Sequence, residues 1–212
     1  MMTDSTFINL NKSGDKIEPD KKEAFRYMGC KSDCDNEELD KLYEKCKAEY
    51  KKVASYKAVV QKTAVILKED NIVDFGFCEI QNENLYKNLS GCDSAYVFAA
   101  TAGIGADRLI MRYNKVSPAE AMICDSIASS AVEVWCDEIN AEISALGETK
   151  PRFSPGYGGV SLEYQKDVLS FLDAERKIGI TLNDALMMTP AKSVTAFVGV
   201  KENKESEQTD EK

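Results

Sequence analysis

The feature that most constrains the fold is a segment in the middle of the chain, Ser94–Thr101, whose residues are nearly all apolar or small. An apolar run of this length, without alternating polar positions, predicts a central, buried β-strand. We therefore expect the other elements to be arranged around a sheet that contains this strand.

Several other segments have the patterns of strands and helices. Tyr56–Leu67 and Ile72–Ile80 are predicted to pair across a turn, and Lys192–Val200 is predicted as a last strand. Helices are predicted over residues 20–28, 36–50, 83–89, 107–112 and 118–146, and around Leu162, Val168, Leu169 and Leu172. Because strands and helices do not alternate strictly, the pattern predicts an α+β fold with an antiparallel or mixed sheet flanked by helices.

The length of 212 residues suits one large domain or two small ones. Residues 1–18 are polar and are predicted to be disordered or extended, and residues 19–200 to form a single α+β domain. Residues 201–212 are wholly polar and are predicted to be a disordered tail.

The charge and the N-terminus limit the partners. A net charge of −9 disfavours nucleic acid or an anionic membrane as the main partner. Met1–Lys12 has no apolar run such as a secretory signal needs, and no stretch is apolar enough to span a bilayer. We therefore expect a cytoplasmic protein.

The seven cysteines and the absence of histidine limit the chemistry. An odd number of cysteines at irregular spacing predicts reduced thiols in such a chain. Cys30 and Cys34 lie four residues apart, but no third cysteine follows until Cys46, which disfavours an iron–sulfur site. Without histidine, a Ser-His-Asp triad and a histidine-ligated zinc site are both impossible. We assign no catalytic residue and no metal ligand.

The predicted central strand leads into Gly103-x-Gly105 within Thr101–Arg108. Such glycines occur in dinucleotide- and phosphate-binding loops, but Arg108 replaces the third glycine of that fingerprint, and no acidic strand end follows. The pattern favours the alternative, a tight turn from strand to helix.

The segment 118–146 predicts the longest helix, with Ser117 as the N-cap and Pro118 in the first turn. One stripe of this helix is apolar: Ile123, Ile127, Ala131, Trp135, Ile139 and Ile143. A second stripe is polar: Ser126, Ser129, Ser130, Glu133 and Asp137. The polar stripe fits either a shallow polar groove or a solvated helix face, and the helix alone favours the solvated face.

A loop rich in glycine follows this helix, at Arg152–Gly159. Pro155 restricts the backbone and favours an extended Ser154. Three glycines allow a positive φ or a close approach of the backbone to another group: Gly156, Gly158 and Gly159. The loop can therefore present main-chain N–H groups and one guanidinium to an anionic ligand, or it can be an ordinary surface turn.

Several motifs, taken in order, resemble the activation domain of cobalamin-dependent methionine synthase. They are Thr101–Arg108, the helix around Glu133, Arg152-Phe-Ser-Pro-Gly-Tyr157-Gly, Ile178-Gly-Ile-Thr-Leu182, Met188-Thr-Pro190 and Lys192-Ser-Val194. The resemblance covers residues 85–200 and is to the stand-alone form of the domain. It implies a twisted antiparallel sheet flanked by helices, with the ligand in a shallow surface groove.

The resemblance also implies a function. In that family the domain binds S-adenosylmethionine (AdoMet) and supplies its methyl group when the cobalt of the synthase has become inactive Co(II). A flavodoxin or a similar protein supplies the electron. The chain would then be the activation component of a methyltransferase. That methyltransferase would be cobalamin-dependent methionine synthase or another corrinoid protein. It lacks the Asp-x-His-x-x-Gly signature of many corrinoid carriers, so the partner would hold the cobalamin.

The implied ligand-binding residues come from the matching positions. Arg152 matches the arginine that holds the methionine carboxylate, and Ser154 matches a residue whose backbone meets the ligand. Tyr157 matches a tyrosine near the ligand and the corrin, and Glu133 aligns with a helix glutamate of the site. Gly156 is included because it lies between Ser154 and Tyr157 in the same loop motif.

The chain also departs from the family pattern. Gly158 stands where many long-form synthases have proline, and Lys201–Lys212 contains no counterpart of a family tyrosine. An N-terminal aspartate of the long-form site has no clear position here, and the first 80 residues match poorly. Two other functions stay open: a docking module that gates a corrinoid methyltransferase without transferring methyl, and an unrelated small-molecule binder on the same fold.

Overall fold

The computed structural model describes residues 7–30 and 36–201. The strands are β1 (Phe7–Ser13), β2 (Ser55–Ala64), β3 (Ile66–Lys68), β4 (Ile72–Asp74), β5 (Glu79–Gln81), β6 (Ser94–Thr101), β7 (Glu148–Thr149), β8 (Thr181–Leu182), β9 (Met188–Thr189) and β10 (Ser193–Lys201). The helices are α1 (Lys21–Tyr27), α2 (Glu37–Val53), α3 (Glu83–Asn88), α4 (Ile104–Val116), α5 (Pro118–Ser144), α6 (Gln165–Leu172) and α7 (Ala174–Ile178).

In the described ranges the main sheet has five strands in the order β1-β2-β6-β10-β7, and two small sheets contain β3-β4-β5 and β8-β9. Every strand pair is antiparallel. The predicted α+β class is confirmed, and of the two sheet types that the sequence left open, the antiparallel one is present.

Strand β6 lies at the centre of the main sheet, as predicted, and all eight of its residues are buried. Phe98 packs in a core with α1, α2, α4 and α5 on one face of the sheet. Its neighbour Val97 packs in a second core with α3, α6, α7 and the β3–β5 sheet on the other face. Because both faces are covered, the strand needs apolar side chains at successive positions, which explains its unbroken apolar sequence.

The longest helix, α5, closely follows its prediction. Pro118 occupies the first turn, where the missing N–H costs nothing. Ser117 has the N-cap position, although its side chain makes no capping hydrogen bond. All six residues of the predicted apolar stripe are buried.

Residues 7–13 of the N-terminal segment, for which the sequence predicted a disordered or extended stretch, are extended and paired with β2 as β1. Ile8 and Leu10 alternate with the polar residues Asn9 and Asn11 and pack against the core, which holds the strand on β2. Residues 1–6, 31–35 and 202–212 lie outside the described residues, and with them Cys34 and the tail predicted to be disordered.

The predicted hairpin of Tyr56–Leu67 and Ile72–Ile80 is confirmed only next to its turn, where β3 pairs with β4; neither segment is one continuous strand. Strand β2 ends at Ala64, and the N–H of Val65 donates to the carbonyl of Asp93 at 3.0 Å, so β3 belongs to a different sheet. Gly76, with φ +80°, interrupts the second segment between β4 and β5. The β-branched composition identified the strands but not the break between the two sheets.

The glycine pair after β6 forms the tight turn that the sequence favoured. Gly103 has φ +82°, and a Cβ on Gly105 would lie only 2.1 Å from the carbonyl oxygen of Val53. Helix α4 begins at Ile104, three residues before the predicted start. Both glycines are therefore explained by close packing of the strand-to-helix connection.

Within the part of the chain that the structure describes, none of the helices combines the length and the apolar character needed to cross a bilayer.

Candidate functional site

A cleft of about 570 Å³ opens at the outer edge of β10. This volume lies within the range of small-molecule sites. The lining includes Glu133 of α5, Arg152, Ser154 and Tyr157 of the following loop, Gln165 of α6 and Thr195 of β10. The cleft therefore reaches from one face of the main sheet, across its edge, to the other face.

The edge of β10 is open here because its outer neighbours are short. Strand β7 pairs only with Val200 and Lys201. Phe153 then makes a single bridge to Phe197, in which each main-chain N–H donates to the other residue's carbonyl. The nitrogen-to-oxygen distances are 2.9 Å from Phe153 and 2.7 Å from Phe197. In the described part of the chain no strand pairs with this side of Ser193–Thr195, and the cleft lies there.

Asparagine side chains from and beside α3 hold the loop in place. Asn82 and Asn84 both donate to the carbonyl of Gly158, at 3.1 and 3.0 Å. Asn88 donates to the carbonyl of Pro151 at 3.1 Å. These bonds satisfy main-chain carbonyls that have no strand partner and fix both ends of the loop against the body of the domain.

Gly158 has a conformation that explains the departure from the family pattern. Its φ is +55°, and a Cβ would lie 2.5 Å from Cζ of Phe153. Proline is restricted to φ near −65°. The loop of this chain therefore follows a backbone path that proline at position 158 would not allow.

Arg152 lies between two carboxylates of α5. One guanidinium nitrogen donates to Asp137 Oδ1 at 2.8 Å, and another donates to Glu133 Oε2. The side chains of Arg152, Glu133 and Asp137 are 23%, 43% and 72% exposed. The group carries one positive and two negative charges and can be reached from solvent.

Such a group suits a ligand that carries both charges. A carboxylate can bind the guanidinium as a fork, and an ammonium or sulfonium can bind Glu133 and Asp137. Tyr27 lies near this group. The pKa of the Tyr27 phenol is raised, first because the ring is partly buried and second because the Glu133 carboxylate is close.

The polar stripe of α5 is neither a continuous groove nor a solvated face. Ser126 and Ser130 are buried, and Ser130 donates to the main-chain carbonyl of Asp20 at 2.8 Å, where α1 begins. Ser129 accepts a hydrogen bond from Lys192 at 2.9 Å. Only Glu133 and Asp137 reach Arg152, so the stripe divides between helix packing and the cleft.

Of the five predicted site residues, the structure brings four to the cleft: Glu133, Arg152, Ser154 and Tyr157. Tyr157 lies at the rim with 76% of its surface exposed. Gly156 is not among the lining residues; its N–H donates to Val160 at 2.9 Å, and a Cβ there would lie 3.0 Å from Leu162. Its geometry is that of a turn residue.

Among the lining residues that sequence reasoning missed, three have a buried polar atom: Asn88, Gln165 and Thr195. Asn88 Oδ1, Gln165 Oε1 and Thr195 Oγ1 are buried and have no hydrogen-bond partner among the described residues. Thr195 was detectable as a polar residue inside the apolar strand Val194–Val198. Gln165 carried no such signal, because a glutamine at the start of a helix is normally solvated.

The described residues thus form an antiparallel α+β domain with a cleft of small-molecule size along the uncovered part of β10 and a zwitterionic group at the mouth of that cleft. The chain belongs to a particular family of such domains: the model of the activation domain of vitamin B12-dependent methionine synthase matches residues 81–207.

Comparison with solved structures supports the fold. The crystal structure of the MetH reactivation domain bound to AdoHcy superposes with a TM-score of 0.70 at 13% sequence identity, covering 94% of this chain and 80% of that one. A search of curated proteins found no match. The family resemblance inferred from the loop motifs is confirmed.

Proposed function

We propose that this chain binds AdoMet in the β10 cleft and acts as the reactivation partner of a cobalamin-dependent methionine synthase or another corrinoid protein. The observation that carries the proposal is Arg152 held between Glu133 and Asp137 at the mouth of the cleft. Membership in the activation-domain family and the AdoHcy bound to the similar reactivation domain support this class of ligand.

The lining fits AdoMet in charge and in hydrogen-bonding capacity. The methionine carboxylate pairs with Arg152, and the ammonium and the sulfonium are compensated by Glu133 and Asp137. The buried atoms without partners, Gln165 Oε1 and Thr195 Oγ1, provide polar contacts deeper in the cleft. The ligand would therefore supply hydrogen-bond partners that these two atoms lack among the described residues.

The chemistry requires positioning rather than acid or base. In reductive methylation the partner's corrinoid, reduced by one electron from a flavodoxin-like donor, would supply the nucleophile, and AdoMet would supply the methyl group, its S–CH₃ bond breaking with the electron pair left on sulfur. The chain's own residues hold the sulfonium at a cleft that is open to a partner. Proximity of this kind can account for several kcal/mol of a barrier, up to about 7–11 in well-oriented systems.

The corrinoid is proposed to be held by the partner, because the chain has no histidine to ligate cobalt. Tyr157 and Met187 are 76% and 61% exposed, and Met187 precedes a lining residue, Met188. These side chains offer apolar contact to a docking corrinoid protein. The net charge of −9 fits a cytoplasmic protein whose main partners are neither nucleic acid nor membrane.

Calorimetric titration with AdoMet and AdoHcy tests the proposal. Arg152→Ala should weaken binding by about tenfold to a hundredfold, since a hydrogen bond to a charged group contributes about 1.5–3 kcal/mol. Arg152→Lys should recover only part of the affinity, because an ammonium cannot form the two-pronged contact. Arg176→Ala is the matched control, because it removes another ion-paired arginine, one that does not line the cleft.

Equal affinity of Arg152→Ala and the natural sequence, with melting curves that show a folded protein, would contradict the site assignment. If AdoMet does not bind at all but a corrinoid protein co-purifies with the chain, the docking module becomes the better account. If neither binds, an unrelated small-molecule site is the remaining account.

A further inference from the structure

Two of the buried thiols lie against each other, and neither of them lines the β10 cleft. Cys46 belongs to α2 and Cys124 to α5, and both are fully buried in the core that α1, α2, α4 and α5 form on one face of the main sheet. The S–H of Cys124 donates a hydrogen bond to the sulfur of Cys46. A disulfide needs two cysteine side chains that point towards each other, and this contact provides that arrangement between two thiols.

An ion pair holds the same two helices together on the solvent side of the thiols. Lys45, which precedes Cys46 on α2, places its Nζ 2.6 Å from Oε1 of Glu120 on α5. Glu120 lies one helical turn before Cys124, so the two side chains share a face of α5. The side chain of Lys45 is 57% exposed, and its charge and that of Glu120 both act on the Cys46 thiol. The ion pair therefore covers the thiol pair.

The hydrogen bond makes the two thiols chemically unequal. It lowers the pKa of the Cys46 thiol, and the charge of Lys45 acts in the same direction, whereas burial and the carboxylates of Glu120 and Glu49 oppose the shift. The same hydrogen bond, together with burial, raises the pKa of the Cys124 thiol. Because the thiolate is the form that attacks an oxidant, Cys46 is the thiol that reacts first.

The other buried thiols are in a different situation. Burial is the main cause that raises the pKa values of Cys78, Cys92 and Cys136, and no second cysteine is among the groups that act on them in the described ranges. A thiol that is buried by itself in apolar surroundings is inert. The second sulfur atom in contact is what sets Cys46 and Cys124 apart.

We propose that Cys46 and Cys124 are a redox pair that hydrogen peroxide converts into a disulfide between α2 and α5. The Cys46 thiolate attacks one oxygen of the peroxide, the O–O bond breaks, and the second oxygen leaves as water after it takes up a proton. The sulfur of Cys124 then attacks the resulting sulfenic acid of Cys46, and the S–O bond breaks to release a second water that carries the Cys124 proton. Two thiols and one peroxide thus give one disulfide and two waters, and a dithiol reductant restores the thiols.

The oxidant has a short path to the pair. Hydrogen peroxide is little larger than water, and the cover is one ion pair whose Lys45 side chain is largely exposed. Ion pairs of this kind contribute about 0–1 kcal/mol, so the cover opens at little cost. Movement of the Lys45 side chain is then enough to admit the peroxide to Cys46 without unfolding of α2.

The disulfide would join two parts of the chain. Helix α2 precedes the segment that the family model matches, whereas α5 lies within it. The bond closes the long loop from Cys46 to Cys124 and restricts the unfolded chain, which stabilises the folded protein. Cys124 lies about two and a half turns of α5 before Glu133, so the crosslink acts on the stability of the fold and not on the contacts of Arg152. The inference goes beyond the proposed function and does not depend on it.

Peptide mapping of the oxidised full-length chain tests the proposal. The reduced protein is treated with hydrogen peroxide while folded and is then unfolded with iodoacetamide present. Cleavage after glutamate releases residues 45–49 and 121–133, which contain one cysteine each. We expect these two peptides to be joined, with two hydrogen atoms fewer than the separate thiols, and to be separated by dithiothreitol. The melting temperature should rise by about 5–10 °C on oxidation and return on reduction.

Two variants test the roles of the two thiols. Cys124→Ala removes the second thiol, so peroxide should leave Cys46 as a sulfenic acid that dimedone captures, and the rise in melting temperature should be lost. Cys136→Ala is the matched control, because it removes another buried thiol of α5. It should form the crosslink as the natural sequence does.

The proposal is overturned if the folded natural sequence, treated with excess peroxide, gives residues 45–49 and 121–133 as separate alkylated peptides or joins either of them to another cysteine. It is also overturned if the joined peptides appear only when the protein is unfolded before oxidation. Neither comparison needs a variant, so both decide the matter even if Cys124→Ala does not fold. Because AdoMet takes no part in the experiment, the proposed function is tested separately.

Discussion

At Gly158, a single missing side chain allows the loop to lie close to Phe153. The left-handed φ of +55° and the 2.5 Å approach of a Cβ to the Phe153 ring are two separate obstacles to any other residue. The carbonyl of Gly158 also accepts from two asparagines. A change at this residue should therefore move the loop that carries Arg152.

Gly158→Ala should lower the free energy of unfolding by about 1–3 kcal/mol and weaken AdoMet binding by several-fold. Gly76→Ala is the matched control, because Gly76 has φ +80° but no atom within 4 Å of a Cβ. It should lose stability through backbone strain alone and keep its ligand affinity. Chemical denaturation and calorimetry measure the two quantities; equal ligand affinity in both variants would show that the loop tolerates the shift.

At the level of elements, α3 acts as an anchor for the loop although it has only six residues. Asn82 caps the helix by accepting from the N–H of Leu85 at 2.8 Å, and the same side chain donates to Gly158. Asn84 donates to the same carbonyl. A short helix thus links the β3–β5 sheet to the mouth of the cleft.

Asn84→Ala should weaken AdoMet binding by several-fold with a loss of stability of about 1 kcal/mol or less, since it removes one exposed hydrogen bond. Lys87→Ala on the same helix removes an exposed i,i+4 ion pair instead and should leave affinity unchanged. Calorimetric titration of both variants makes the comparison. An unchanged affinity in Asn84→Ala would mean that Asn82 alone holds the loop.

Elements with a strong local pattern could be predicted from the sequence. The apolar run of β6 and the apolar stripe of α5 each depend on residues that are close in the chain, and the structure confirms them. The separation of β2 from β3 depends on Val65 bonding to Asp93, a contact between distant residues that no local pattern encodes. For that reason the first strand of the predicted hairpin was too long, although its last residues pair with β4 as predicted.

The candidate site shows the same division. Glu133, Arg152, Ser154 and Tyr157 could be identified because their motifs resemble a known family. Asn88, Gln165 and Thr195 reach the cleft from three separate elements, and only the packing of α3, α6 and β10 brings them together. The pairing of Arg152 with Asp137 likewise depends on how the loop returns to α5.

At the scale of the whole molecule, the sheet extends beyond the segment that the family model matches. Residues 81–207 contain β6, β7 and β10, whereas β1 and β2 precede that segment. Strand β2 is the neighbour of β6 on the side away from the cleft and contributes Val59 and Val60 to the two cores. The first 80 residues, whose sequence resembles the family poorly, therefore complete its sheet.

The thiols are distributed through both cores, which gives a prediction for the folded chain as a whole. The six cysteines in the described residues are free, and Cys46, Cys92, Cys124 and Cys136 are buried. Burial raises the pKa values of Cys78 and Cys136 to about 12. At pH 8 only about one in ten thousand of such thiols would be ionised, and the thiolate is the reactive form.

Iodoacetamide at pH 8 should therefore modify Cys30 in the native protein much faster than Cys78 or Cys136. Raising the pH towards 10 should increase the reactivity of Cys78 by about a hundredfold as long as the protein stays folded. After unfolding without reductant, all seven cysteines of the sequence should react. Mass spectrometry of the labelled peptides measures this, and fewer than seven modified sites would indicate a disulfide.

The open edge of β10 has a consequence for the protein when no ligand is bound. Main-chain groups along an unpaired strand edge can recruit a strand from another molecule, which is a common route to aggregation. The short β7 and the single bridge at Phe153 leave this edge uncovered at Ser193–Thr195, where the proposed ligand would lie. A bound nucleoside would therefore also cover this edge, and we expect it to reduce aggregation of the protein at high concentration.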